Sequence, residues 1–489
     1  MKKVIVLIVT ILVLTGCSGR NQLSQTTLDP EFFTGKIEGE ITISAYDAMV
    51  YGRFLEEAAR AFNEIYPDVK INIETFSVMP EMRTAQTGEI SVSVVENYID
   101  PQTRTDYINR TNTRIMSGQG ADIYALDILP VHKMINNNVF ENLNPYMELD
   151  PDFNKNDYRQ NILDAVRYQN STWFFPLDYF INYYAYDSTL FPQEISQNFG
   201  IDKAFTIDDL IKITEPLFNG TEKLLDMNDY GLYNILFNEN YRSFVNLETG
   251  RANFLDGKFT SLLNTVKRYN EQDFLMQPLL NRQSIEDIMQ MLMQGMNLRS
   301  QERFYLKQHS DSNLLNIMSR DSESGLRMMG RITGSIDSDD EIAGIAANAD
   351  GSVPFSFTRA FAINSKSRNK PAAWAFLKFL LSKEMQLSIA TLGMGLPVHN
   401  EAREEKSEMF FTGAIFGMDS PMTDKMQSAY NEYRRIIEVL SDMINTYVYM
   451  DTNVNDMIAQ EVQYFFDGSR TAEEVARLLQ NKADLYLSE

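Results

Sequence analysis

The sequence predicts an α/β fold, and three observations lead there. Ile41-Thr42-Ile43-Ser44, and then Val69, Ile71 and Ile73, alternate apolar and polar residues with the period of strands. Between those runs, Phe54, Leu55, Ala58, Ala61, Phe62 and Ile65 recur at helical spacing until Tyr66-Pro67 stops the helix. The strand–helix–strand order returns further along, as expected of helices layered on a sheet.

The elements follow in chain order. Met1-Lys2-Lys3 and the apolar run from Val4 to Leu14 form an export signal, too short for a membrane span of roughly 20 apolar residues. Leu14-Thr15-Gly16-Cys17 is similar to the lipobox of bacterial lipoproteins, and Cys17 is the only cysteine of the chain. Residues 1–16 are therefore expected to be a lipoprotein signal peptide, Cys17 the lipidated residue, and 17–37 a flexible tether. The helical crossover between the first two strands makes parallel pairing the default. A polar helix ends at Met116, with Gly118 available for a left-handed cap. Ile123-Tyr124-Ala125 reads as a buried strand and Val131 to Asn137 as a helix. From about 150 to 345 the pattern is more helical, with Met-rich Ile285 to Met296 as a core helix. Ser310 to Ser324 and Gly334 to Asp340 read as polar loops. Near the end, Thr471-Ala472-Glu473-Glu474 is a capping box ahead of Val475, Leu478, Leu479, Leu485 and Leu487.

Composition narrows the function. Hydrophobic residues at 44% supply a substantial core, so the 489-residue chain is globular, with room for two or three domains. A lone cysteine allows no internal disulfide. The formal net charge of −23 argues against nucleic acid and against a basic surface lying on anionic lipid, leaving membrane contact to the anchor alone. The three histidines, His132, His309 and His399, lack metal-ligand spacing, and each reads as a surface or internally satisfied side chain. No nucleophile elbow or P-loop occurs, and Gly118-Gln119-Gly120 lacks the third glycine of a dinucleotide loop. No catalytic residue, metal or cofactor is expected.

Four stretches together carry a family resemblance. The first is Ile41 to Phe76. The second is Ser117-Gly118-Gln119-Gly120-Ala121-Asp122-Ile123, with Ala121 where proline is usual. The third runs from Trp173-Phe174-Phe175-Pro176 to Tyr186-Asp187, with Asp187 where asparagine is usual. The fourth runs from Phe361-Ala362-Ile363-Asn364 through Ala372-Ala373-Trp374 to Gly395-Leu396-Pro397-Val398. They resemble the extracellular solute-binding proteins of ABC importers, family 1, the sugar-binding group that includes maltose-binding protein. The resemblance implies a two-lobed periplasmic-binding-protein type II fold, each lobe a mixed, mostly parallel sheet flanked by helices. Residues 38–145 and 355–397 are assigned to one lobe, 150–350 and 398–489 to the other. It also implies a monomer that captures a mono- or oligosaccharide, delivers it to ABC permease subunits, and sits lipid-anchored on the extracytoplasmic face. A secreted glycan-acting lipoprotein enzyme, or a non-transport sensor on the same fold, are the alternatives.

Solute contacts are sought in loops after strands, where α/β ligands bind. Tyr46 and Asp47 follow the first strand, offering a ring face and a hydroxyl acceptor, although Asp47 also suits a helix cap. Asp127 follows the third strand with the same two readings, beside non-aromatic Leu126. Asp178, Tyr179 and Phe180 lie in an aromatic run beginning at Trp173, where rings meet sugar C–H faces and polar tips pair with hydroxyls. Arg359 suits an acid or a solute, and Gly395 marks a hinge near the cleft. Trp374 reads as core. Two tryptophans are few for a groove holding long oligosaccharides.

Overall fold

A computed structural model describes residues 28, 31–77, 83–87, 90–94, 101–126, 128–188, 191–217, 228–272, 318–323, 340–388, 395–414 and 420–488. Cys17, Asp127, His309 and the Met-rich stretch 285–296 lie outside these residues. The body opens with α1 (Glu31–Thr34), whose Phe32 and Phe33 meet the Tyr146 ring edge-on at 5.4 and 6.4 Å. The end of the expected tether, 17–37, is therefore docked on the core, because two adjacent phenylalanines find an aromatic partner there.

The expected strand–helix–strand unit forms as β1 (Gly39–Ala45), α2 (Arg53–Ile65) and β2 (Val69–Thr75), with β1 and β2 parallel over seven residue pairs. Phe54, Leu55, Ala58 and Phe62 form the buried stripe of α2. A hairpin, β3 (Arg83–Thr87) and β4 (Ile90–Val94), precedes α3 (Pro101–Met116), and Gly118 takes the left-handed conformation at φ 72°. Then come β5 (Ile123–Ala125), α4 (Val131–Asn136), α5 (Asn144–Leu149), α6 (Gln160–Ala165), β6 (Phe175–Pro176) and β7 (Asp178–Asp187).

The middle of the chain holds α7 (Gln193–Ser196), β8 (Ala204–Phe205), α8 (Ile207–Thr214), α9 (Asp229–Glu239), α10 (Tyr241–Phe244), β9 (Val245–Asn246), β10 (Arg251–Ala252), α11 (Lys258–Glu271), β11 (Met318–Glu323) and β12 (Asp340–Ala346). After β13 (Pro354–Ser356) and β14 (Ala360–Ile363) follow α12 (Lys370–Leu380), α13 (Lys383–Leu387), β15 (Leu396–Pro397), α14 (Asn400–Thr412), α15 (Asp424–Met443), β16 (Thr446–Tyr447), α16 (Thr452–Phe466) and α17 (Ala472–Ser488). The capping box before α17 is present: the Thr471 N–H donates to Glu474 Oε2 at 2.9 Å, and the Glu474 N–H to Thr471 Oγ1 at 3.2 Å.

Two mixed sheets organise these elements. The first has the order β2-β1-β5-β14-β6, with β14 alone antiparallel to its neighbours; the second has β16-β13-β7-β12-β8, with β11 and β15 also on β7. Consecutive residues of β7 point to opposite faces. Tyr179, Ile181, Tyr183 and Ala185 join the larger apolar core, which runs on into the first sheet; Tyr184 and Tyr186 join a smaller core with α8, α9, α11, α16 and α17.

Because β6 pairs with β14 in the first sheet and β13 lies in the second, the chain passes from one sheet to the other at Leu177 and returns at 357–359. One expectation needs correction. Within the expected loop 310–324, residues 318–323 form a strand: six residues pair in register with β7, supplying an order that their own polar sequence does not announce.

Candidate functional site

The lobe crossing gathers several expected residues, but in a closed place. Asp178 starts β7 rather than sitting in a loop, and only 4% of its surface is exposed. Its Oδ1 accepts the Thr358 N–H at 2.8 Å and the Arg359 N–H at 3.4 Å, so one crossing strand is tied to the other. The Arg359 guanidinium donates to the Val50 carbonyl from Nε at 3.1 Å and Nη2 at 2.6 Å, and lies 4.3 Å from the Phe54 ring centre. Lys406 of α14 completes the cluster. Burial pushes Lys406 down to about 8 and raises the Asp178 carboxyl above the usual carboxylate range, while each opposes the other's shift. The cavity among Asp178, Arg359, Gln386, Gly395 and Lys406 measures about 10 Å³, space for roughly one water and not for a sugar.

Gly395 owes its identity to close approach: a Cβ there would stand 2.5 Å from the Tyr179 carbonyl oxygen. Tyr179 is fully buried, its hydroxyl 3.0 Å from Ser441 Oγ and accepting from Arg403 Nη1 at 3.3 Å. Phe180 is half-buried at the same crossing. Trp173 is 2% exposed in the first lobe's core, where Nε1 donates to the Tyr168 carbonyl at 2.9 Å. Trp374 is also core, with Nε1 donating to Asp150 Oδ2 at 2.6 Å.

At the carboxyl end of β1, Tyr46 is buried beside Phe76 and Tyr107, with ring centres 6.4 and 5.6 Å away. Asp47 Oδ1 accepts the Val50 N–H at 3.2 Å, capping the turn that leads into α2. Tyr51 donates its hydroxyl to the Thr358 carbonyl at 3.1 Å, linking this end of the sheet to the crossing.

Sequence reasoning missed the far side, where α3 and α4 of the larger core meet α16 and α17 of the smaller one. Contacts there are polar. Arg104 Nη1 is 3.4 Å from Asp456 Oδ1, and His132 Nε2 is 3.4 Å from Asp451 Oδ2. Lys133 Nζ donates to the Tyr486 carbonyl at 3.0 Å and stands 3.6 Å from that residue's ring centre. Asp451 caps α16, its Oδ1 accepting from the N–H of Asn453 at 2.8 Å and of Val454 at 3.1 Å; Oδ2 accepts from the Tyr486 hydroxyl at 3.1 Å. A 570 Å³ pocket crosses this seam, with Asn109, Asn112 and Lys133 on one wall and Asn453 and Tyr486 on the other. The one sequence signal was His132, a titratable residue among the buried Val131, Met134 and Ile135 of α4.

His132 and His399 are both buried rather than on the surface. Burial pushes His132 below its ordinary value, Asp451 opposes that shift, and Lys133 adds to it. A neutral imidazole costs nothing above the unfolded value of about 6.5. Below it the unfolded chain takes up the proton first, so stability is lost as pH falls from about 6.5 through the folded-state value. We expect the melting temperature to drop between pH 7.5 and 5.5, and His132→Asn to show a shallower drop in the same scan. Parallel slopes for the two proteins would contradict this.

Among the described residues, no group of three or more His, Cys, Asp or Glu side chains is arranged to hold a metal. No family model matches the chain, and no curated protein matches it. Solved structures do. An ABC substrate-binding protein from Listeria monocytogenes, in complex with cycloalternan, is 16% identical with a TM-score of 0.52, covering 92% of this chain and 99% of its own. An extracellular solute-binding protein family 1 member from Alicyclobacillus acidocaldarius is 14% identical with a TM-score of 0.53, covering 93% and 100%. A de novo designed cysteine esterase is 12% identical with a TM-score of 0.52, covering 92% and 98%. At these identities the likeness establishes the fold, the two-lobed α/β architecture of ABC solute-binding proteins, and a fold does not dictate chemistry.

Proposed function

We propose that this protein is the solute-binding receptor of an ABC importer: a lipid-anchored, monomeric, extracytoplasmic protein that holds a carbohydrate between its lobes and releases it unchanged to permease subunits. One observation carries the reading. The lobes share an apolar core where the strands cross, yet meet elsewhere through ion pairs and hydrogen bonds around an open pocket. An interface of that polarity can part and re-form, which hinge closure around a solute requires. The buried Asp178–Arg359–Lys406 cluster is in this reading the pivot, and the strand ends and α3–α16 seam are the jaws. Anchoring rests on Cys17.

A carbohydrate panel that includes cycloalternan, followed by thermal melting and chromatography of the recovered sugar, tests the proposal. A sugar at 100 times its dissociation constant should add about 2.7 kcal/mol of stability. It should also reduce the radius of gyration and be recovered intact. A chemically altered sugar, or a flat response to every small solute, contradicts the reading. Cys17→Ser should move the protein from the membrane fraction to the medium; retention at the membrane would remove the lipid anchor from the proposal.

A further inference from the structure

The chain before β1 is fastened to the body at several points. Leu28, Phe32, Phe33 and Ile37 are partly buried against the larger core. Phe32 and Phe33 stand edge-on to each other at 4.9 Å, and both meet Tyr146 of α5, whose ring centre in turn lies 5.2 Å from that of Trp374. At the entry to β1, Asn369 Nδ2 donates to the Glu38 carbonyl at 2.9 Å, and the Gly39 N–H donates to the Asp68 carbonyl at 3.0 Å. Four apolar side chains on one core, followed by two hydrogen bonds, hold this stretch as part of the folded protein.

That docking sets the reach of an anchor at Cys17. Cys17 and Leu28 are 11 positions apart, so the chain between them spans at most about 36–40 Å. Measured to Gly39, where β1 begins, the separation is 22 positions and the limit about 73–79 Å. A folded chain of 489 residues has a radius of gyration of about 23 Å, and so a width of about 60 Å. The longer leash exceeds that width; the shorter one does not. We propose that Leu28, Phe32, Phe33 and Ile37 form a docked strap that shortens the leash and keeps the face carrying α1 and α5 toward the lipid surface. A flexible leash of 11 residues has a root-mean-square length of about 17–20 Å, which holds Leu28 close to the bilayer. Release of the strap gives the body room to turn this face away. The net charge of −23 supplies no attraction to anionic lipid, so the orientation comes from the leash and not from adhesion. This inference rests on the lipid-anchor part of the receptor reading and adds to it the direction in which the body is held.

The experiment compares the wild type with two variants. Phe32→Ser/Phe33→Ser releases the strap; a Gly-Ser insertion of about 20 residues between Cys17 and Leu28 lengthens the leash and leaves every docked residue in place. In the unlipidated Cys17→Ser background, trypsin should cut after Lys36 about tenfold faster in the double serine variant than in the parent, because cleavage needs local opening. Equal rates would overturn the docked strap. The lipidated proteins, labelled with a dye at Glu148→Cys of α5 or at Asn264→Cys of α11, both exposed positions, are placed in phosphatidylcholine vesicles carrying a headgroup acceptor. Energy transfer to the lipid should be stronger from position 148 than from 264 in wild type, and that difference should largely vanish in both variants. Equal transfer from the two positions in wild type, or an undiminished difference in the insertion variant, would overturn the orientation. Cys17→Ser should abolish transfer from both positions. Transfer that survives it would remove the anchor reading and the leash with it, while the trypsin result still decides the docking.

Discussion

Asp178→Ala is expected to destabilise the fold by about 3–5 kcal/mol, the cost of removing one partner from a buried charge cluster. The carboxylate is 4% exposed and stands beside two cations that burial already penalises, Arg359 and Lys406. Its loss removes a negative charge that offsets the burial of both, and takes away an acceptor from the Thr358 N–H at 2.8 Å and the Arg359 N–H at 3.4 Å beside a cavity that admits about one water. Asp178→Asn separates the two contributions. An amide oxygen still accepts the backbone N–H groups, so the asparagine variant should lose less than the alanine variant. Denaturant unfolding of the three proteins checks the order. A loss under about 1 kcal/mol for alanine would mean that the crossing strands are held without this carboxylate. The same substitution should broaden the distribution of interlobe distances between spin labels at the exposed positions Asn63 and Asn264, because Asp178 ties one crossing strand to the other.

Asp451→Ala should cost about 2–4 kcal/mol by a different route. Losing an N-cap costs about 0.5–2 kcal/mol, and leaving a buried donor unsatisfied adds about 1–3 kcal/mol. Asp451 is fully buried and serves both roles: it caps α16 through the N–H groups of Asn453 and Val454, and it accepts the Tyr486 hydroxyl of α17. It also faces His132 across the seam, so its removal takes away one of the contacts that bring the lobes together. Faster amide exchange at Asn453 and Val454 would report the lost cap. A longer Asn63–Asn264 distance would report the opened seam. Asp451→Asn keeps a capping oxygen and should show the second effect with little of the first. Unchanged exchange and distance in the alanine variant would show that α16 and the seam are ordered by packing alone.

Local elements were legible because their causes are local. The spacing of Phe54, Leu55, Ala58 and Phe62 announces α2; Gly118 announces its left-handed cap; Thr471 and Glu474 announce the start of α17. Parallel pairing of β1 and β2 followed from the helix between them. The site was less legible. Tyr46 and Asp47 do end a strand, but Asp178, Tyr179, Arg359 and Gly395 prove to be parts of the crossing, where side chains bond to backbone and close a cavity. Aromatic and acidic residues in sequence look the same whether they face a solute or a neighbouring strand. Arg104, Asp456 and Asp451 stood in no motif, since a seam between residues some 350 positions apart leaves no periodic trace.

From residue order alone come the α/β class, the boundaries of its early helices and strands, the acidic surface and the expectation of export through Cys17, all of which depend on neighbours within a few positions. Only the tertiary structure decided where the chain passes between sheets, that residues 318–323 pair with β7, and that the lobes meet through a polar seam. Those features depend on long-range pairing, which is chosen by the free energy of the whole packed chain and is not written in any short stretch of it.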